Sequence, residues 1–201
     1  SQYITAKDDP NTGLVDDEDI NSVTLFTVKA GDPNDGVAPP CNPAVNKCGG
    51  LQVLLPGEQA LPGGASYPSG GKQNTPTTQT AGVPFNVTVR IVDFYGNLST
   101  NPVNGQPDVG ILSSDSYDND ATALPMTDGQ IIHTMTLISR ATSHILRAND
   151  IANTYLDKDD PVNNASAISP QFSVNASTPN GFLVVLPGET LAEGKYNAAP
   201  Y

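Results

Sequence analysis

From residue 85 to residue 91 apolar and polar side chains alternate without a break. Phe85, Val87, Val89 and Ile91 fall on one side, and Asn86, Thr88 and Arg90 on the other. Successive side chains of a strand point to opposite faces, so this alternation predicts a strand with one face in a core. Shorter runs of similar character cover residues 109–112, 131–138, 144–148 and 168–174. Turn-forming clusters separate them: Tyr95-Gly-Asn97, Asn104-Gly105, Asp128-Gly129 and Asn180-Gly181. No stretch combines a helical period with capping residues. Many short strands with frequent turns predict an all-β chain folded as a β-sandwich. Its expected core is Val53, Phe85, Val87, Val89, Ile91, Leu137, Leu146, Phe172 and Val174. Residues 62–81, rich in Gly, Pro, Thr and Ser, read as an extended loop or arm rather than a folded element.

Internal similarity organises the chain. Leu51-Gln-Val-Leu-Leu-Pro-Gly-Glu58 returns 131 residues later as Phe182-Leu-Val-Val-Leu-Pro-Gly-Glu189. Tyr3-Ile-Thr-Ala-Lys-Asp8 matches Ile145-Leu-Arg-Ala-Asn-Asp150, and Phe26-Thr-Val28 matches Phe172-Ser-Val174. The three matches occur in the same order, with linkers of different length between them. The expected layout is the last strands of one unit in 1–30, a linker in 31–50, a whole unit in 51–176, and the first strand and arm of a further unit in 182–201. With no initiator Met and no leader pattern, the chain reads as a segment of a longer or processed protein.

Charge narrows the partners. There are 9 basic against 21 acidic residues, a net charge of −12. Such a surface repels nucleic acid and anionic membranes, so no nucleic-acid partner is expected. No run approaches the roughly 18 consecutive apolar residues of a membrane span, so no membrane insertion is expected either. Cys41 and Cys48 enclose six residues. Two thiols without a nearby His fall short of the four ligands of a zinc site, and the spacing is wider than a redox Cys-x-x-Cys. A small disulfide loop, implying an oxidising compartment, stands against two free thiols in a surface loop.

The whole unit resembles the bacterial immunoglobulin-like repeats of large surface and secreted proteins. The residues that carry the resemblance are the Leu-Pro-Gly-Glu strand, Gln79-Thr-Ala-Gly-Val-Pro-Phe-Asn-Val-Thr-Val89 and Val92-Asp-Phe-Tyr-Gly-Asn97. Ser113-Ser-Asp115, Ala123-Leu-Pro125, Asp128-Gly129, Thr136-Leu137 and Ala148-Asn-Asp150 follow in order. The resemblance spans about residues 51–176, and His133 departs from it at a position that such repeats usually fill with an aromatic or aliphatic side chain. It implies an immunoglobulin-like sandwich, with the run ending at Asn97 as its second strand and residues 148–150 closing its sixth. It also implies a role in spacing, adhesion or assembly at a cell surface, without naming a ligand.

Candidate chemistry is thin. His133 and His144 both fall in predicted strands, where a lone His is ordinarily packed rather than catalytic. No nucleophile elbow, His-Glu-x-x-His or P-loop occurs, so no enzyme is expected. Acidic loops are the candidate calcium ligands: Asp115, Asp118, Asn119 and Asp120 in one, Asp157, Asp159 and Asp160 in another. Ca²⁺ takes six to eight oxygens, which inter-strand loops supply, whereas solvated loops that keep the protein soluble need no metal. Asn-x-Ser/Thr sequons stand at Asn86, Asn97, Asn164 and Asn175. No Lys is placed for an autocatalytic cross-link.

These readings lead to an extracellular structural protein, a repeat or subunit of a surface filament, stalk or layer. Its expected partners are further copies of itself, head-to-tail, or adjacent repeats of the same chain. Ile4, Ala6, Phe26 and Val28 at one end, and Phe182, Val184 and Leu186 at the other, are the expected assembly interface. The alternative is an adhesin-type module that recognises a glycan or receptor through its long loops.

Overall fold

The computed structural model of the chain describes residues 49–63, 71–100, 105–150, 168–179 and 181–191, all within the unit Gly31–Tyr201. The described residues contain no helix. They form eleven strands: β1 (Gly50–Leu54), β2 (Gln59–Ala60), β3 (Lys72–Gln73), β4 (Gln79–Thr80), β5 (Phe85–Val92), β6 (Asp108–Ser113), β7 (Ala121–Pro125), β8 (Gln130–Met135), β9 (Ala141–His144), β10 (Leu146–Asp150) and β11 (Phe172–Asn175).

One layer is the antiparallel sheet β1-β5-β8, with Val53 opposite Val89 and Val89 opposite Ile131. The other layer is built from two three-stranded groups, β10-β6-β7 and β4-β11-β9. Residues 141–150 join them. At Ile145 the run changes partners: β9 pairs with β11, and β10 pairs with β6. The N–H of Ile145 donates to the Ser114 hydroxyl, and that of Leu146 donates to the Ser169 hydroxyl. Ordinary ladder partners are thus replaced by side chains at the break. The strand expected at 144–148 is therefore two strands.

The described residues form an all-β sandwich. All nine expected core residues are buried between the layers, joined by Leu51, Leu55, Val109, Ile111, Met135 and Ala148 among others. Phe85 and Phe172 meet edge to face across the core, with ring centroids 6.0 Å apart. β8 ends at Met135, short of the expected 138, because the N–H groups of Ile138 and Ser139 turn to the Asp115 carboxylate instead of a neighbouring strand.

The stretch expected as a loose arm is partly folded. β3 pairs with β2, and β4 pairs parallel to β11. The N–H of Ala81 then donates to Asn175, and that of Gly82 to Leu137. Two-residue strands carry no readable period, so only tertiary pairing defines them. Lys72 of β3 donates to the Val53 carbonyl of β1, and the N–H of Gly63, after β2, donates to the Tyr95 carbonyl in the turn after β5. Gly71 and Gly96 sit back to back there, and a Cβ built on Gly96 would lie 2.5 Å from the Gly71 Cα.

Candidate assembly site

The Leu-Pro-Gly-Glu repeat has one structure in both copies. In the first, the N–H of Glu58 donates to the Leu55 carbonyl at 3.0 Å, and the N–H of Leu55 donates to Glu58 Oε2 at 2.9 Å. In the second, the same two bonds join Glu189 and Leu186, at 3.0 and 2.7 Å. Pro fixes the first central position of the turn. Gly57 and Gly188, with φ of 94° and 95°, occupy the left-handed second position that a side chain would strain. The glutamate then closes the turn on the N–H that begins it.

The surroundings of the two copies differ. In β1 and the residue that follows it, Leu51, Val53 and Leu55 are buried in the core. Their counterparts Phe182, Val184 and Leu186 are exposed, with Val184 76% accessible against 1% for Val53. Residues 182–186 pair with no strand among the described residues. Leu183, Val185 and Leu191 are exposed as well, so residues 182–186 form a continuous exposed apolar run. Exposed apolar stretches of this size are unusual on a folded surface and mark candidate interaction sites.

Of the expected assembly residues, Phe182, Val184 and Leu186 are thus on the arm. Ile4, Ala6, Phe26 and Val28 lie outside the described residues, as do Cys41, Cys48, Asp157, Asp159 and Asp160 and the sequon at Asn164. The chain matches no protein-family model and no curated protein.

The acidic loop after β6 works within the fold. Asp115 is buried and accepts four hydrogen bonds, from the N–H groups of Ile138, Ser139 and Tyr117 and from the Ser139 hydroxyl, at 2.6 to 3.0 Å. Burial pushes its carboxyl up, but these donors outweigh burial and hold it below the usual carboxylate range. Asp120 accepts the N–H of Ser113 at 2.7 Å. Asp118 differs. Both its oxygens are shielded from solvent, with the Ser113 hydroxyl beside them. Burial raises its pKa, with the charges of Asp120 and Asp115 adding to the rise and the nearby Ser113 hydroxyl and His144 offsetting part of it. Asn119 is exposed. Among the described residues no group of three or more His, Cys, Asp or Glu is disposed to hold a metal.

Both histidines are packed. His144 Nδ1 lies 3.0 Å from the Ser114 hydroxyl, and Nε2 lies 2.9 Å from the Ser139 carbonyl. The carbonyl can only accept, so Nε2 donates to it. A Ser–His contact of this length is shared with hydrolases, but here the second nitrogen meets a carbonyl instead of an orienting carboxylate. The contact ties the β6 loop to β9. His133 points into the core from β8, bonded to the backbone of Val109 in the opposite layer, while its Nε2 has no partner. Burial lowers its pKa and outweighs the opposing effect of that bond.

Two features escaped sequence reading. Arg90 and Gln52, on the outer side of the first layer, are both buried and bonded to one another. Glu58 carries an ion pair with Lys72 at 3.0 Å, with its side chain only 2% exposed. The sequon residue Asn97 is held in the turn after β5, where its amide donates to the Asp93 carboxylate. Asn86 and Asn175 are exposed.

Proposed function

We propose that this chain is an extracellular structural protein, a repeat or subunit of a surface filament, stalk or layer, whose immunoglobulin-like units join head-to-tail by β-strand addition. The observation that carries the reading is the arm 181–191. It repeats the sequence and turn of β1, yet keeps on its surface the residues that β1 buries. An isolated apolar strand is marginal in water, and docking as the first strand of an adjacent unit removes that exposure. A contact between unlike surfaces propagates into a fibre unless its rotation closes a ring.

The immunoglobulin-like assignment is supported by strand order. The first strand pairs antiparallel to the long central strand β5, and the short β4 runs parallel to the last strand β11. The outer layer reads β7-β6-β10/β9-β11-β4, the arrangement of a sandwich whose first strand crosses from one sheet to the other.

The test is deletion of residues 182–191 from the full chain, followed by electron microscopy and light scattering. Monomers are the expected result. Fibres of undiminished length after the deletion would end the strand-addition reading.

A further inference from the structure

One substitution between the two copies of the repeat bears on which strand the arm fits. Aligned on the Leu-Pro-Gly-Glu turn, Gln52 of β1 corresponds to Leu183 of the arm. In β1, Gln52 sits directly opposite Arg90 of β5 in the ladder, on the outer side of the layer. Arg90 Nη1 donates to Gln52 Oε1 at 3.1 Å, and the two residues are 7% and 5% exposed. Among the described residues no carboxylate pairs with Arg90. A guanidinium keeps its proton at any ordinary pH, so burial does not remove its need for an acceptor. Gln52 supplies one. A leucine in the same place supplies none and leaves a buried charge short of a partner, among the costlier defects a fold can carry.

The rest of the arm agrees with this. Phe182, Val184 and Leu186 match the core-facing Leu51, Val53 and Leu55, while Leu183 and Val185 match the outward Gln52 and Leu54. All five arm positions are apolar. A continuous apolar run is the pattern of a strand covered on both faces, whereas β1 places a polar residue against Arg90.

Resting on the strand-addition reading, we infer that Leu183 makes the arm a poor substitute for β1. The Gln52–Arg90 pair then acts as a specificity lock. It keeps β1 in its own sandwich and prevents the arm of a neighbouring copy from displacing it. Specificity between two similar strands needs such a penalty in the wrong pairing.

A mutant cycle in the full chain, lacking residues 182–191 so that melting reports the sandwich alone, tests the lock. Gln52→Leu places the arm's residue against Arg90 and is expected to lower the melting temperature by about 5 °C or more. In an Arg90→Met background the same change is expected to cost nearly nothing. An unchanged melting temperature for Gln52→Leu, or an equal loss in both backgrounds, overturns the inference, the latter because the cost would then lie in Gln52's other contacts. If the chain without 182–191 still assembles, strand addition itself fails. The mutant cycle, read on melting, is independent of that outcome.

Discussion

Asp115 accepts hydrogen bonds from both the backbone N–H and the hydroxyl of Ser139, each at 2.7 Å, and so fixes the loop after β6 to the end of β8 across 24 positions of sequence. With Ile138 and Tyr117 also donating to it, the carboxylate satisfies three backbone groups that no strand reaches. Asp115→Ala leaves those donors unmatched and is expected to cost about 3 kcal/mol, measured by urea unfolding. The pH dependence follows from the sign of its shift. A carboxyl held below its unfolded value contributes stability that is complete above pH about 4 and is lost as pH falls through the lower folded value. The Asp115→Ala profile should lack that acid limb.

His133 gives a dependence at higher pH. Its folded pKa lies below the ordinary value near 6.5, so the unfolded chain takes up the proton first. Its neutral form in the core is without penalty above about pH 6.5, and stability falls as pH drops below that toward the folded value. His133→Leu removes the titrating group and the orphaned Nε2 together, at the loss of the bond to Val109. Between pH 8 and 5 the unfolding free energy of the parent should fall relative to that of His133→Leu, so that the difference between the two changes across this range. Parallel profiles would show that His133 does not set the slope.

How far the fold was legible depended on whether a residue's neighbours lay on its own strand. The alternation of Phe85, Val87, Val89 and Ile91 marks β5 because its core face is set by local geometry alone. The same pattern assigned Arg90 to the outer face, which is correct, but not to burial. Its cover comes from Gln52 on the neighbouring strand, and Gln52 in turn lies against Gly71, nineteen residues on in sequence. β4 was illegible because two residues have no period, and its partner β11 lies more than ninety residues away. In the candidate site, the arm was legible because its sequence repeats that of β1. The roles of Asp115 and Asp120 were not, since acidic spacing looks the same whether the carboxylates face calcium or backbone N–H groups.

Asp118 tests that difference. Its raised pKa means that the folded state binds a proton more readily than the unfolded one. The favourable contribution is therefore present below the unfolded value near 4 and is lost as pH rises through the folded value. Asp118→Asn is expected to raise the melting temperature at pH 7 and to leave it unchanged at pH 3. Millimolar calcium is the accompanying control. A calcium-dependent rise in the parent protein that the variant abolishes would assign the loop to the metal, and identical curves with calcium and with chelator would assign it to the fold.

Val89 is fully buried between Val53 and Ile131 on the flanking strands. Val89→Asp puts an unpaired carboxyl there and is expected to cost at least about 4 kcal/mol, much of the stability of a domain this size. Loss of the cooperative thermal transition at pH 7 is the expected readout. A variant that melts within a few degrees of the parent would mean that the layers do not close over this position.

The two copies of the turn permit a comparison in which each is the other's control. Glu58 accepts the Leu55 N–H and pairs with Lys72, which also donates to the Val53 carbonyl at 3.2 Å, so the turn is tied to both β1 and β3. Glu58→Ala removes a nearly buried carboxylate and leaves Lys72 without its counter-charge, an expected loss of about 3 kcal/mol. Glu189 makes the equivalent bond to Leu186 on an exposed arm that pairs with no described strand. Glu189→Ala should therefore leave the melting of the sandwich unchanged. Its effect should appear in assembly, because a turn that is preformed in the free arm must otherwise be ordered on docking, at a cost in affinity. A several-fold weaker self-association of Glu189→Ala, with unaltered melting, is the expected pair of results. A fall in melting temperature as large as that of Glu58→Ala would place the arm within the folded unit and remove it as a free donor strand.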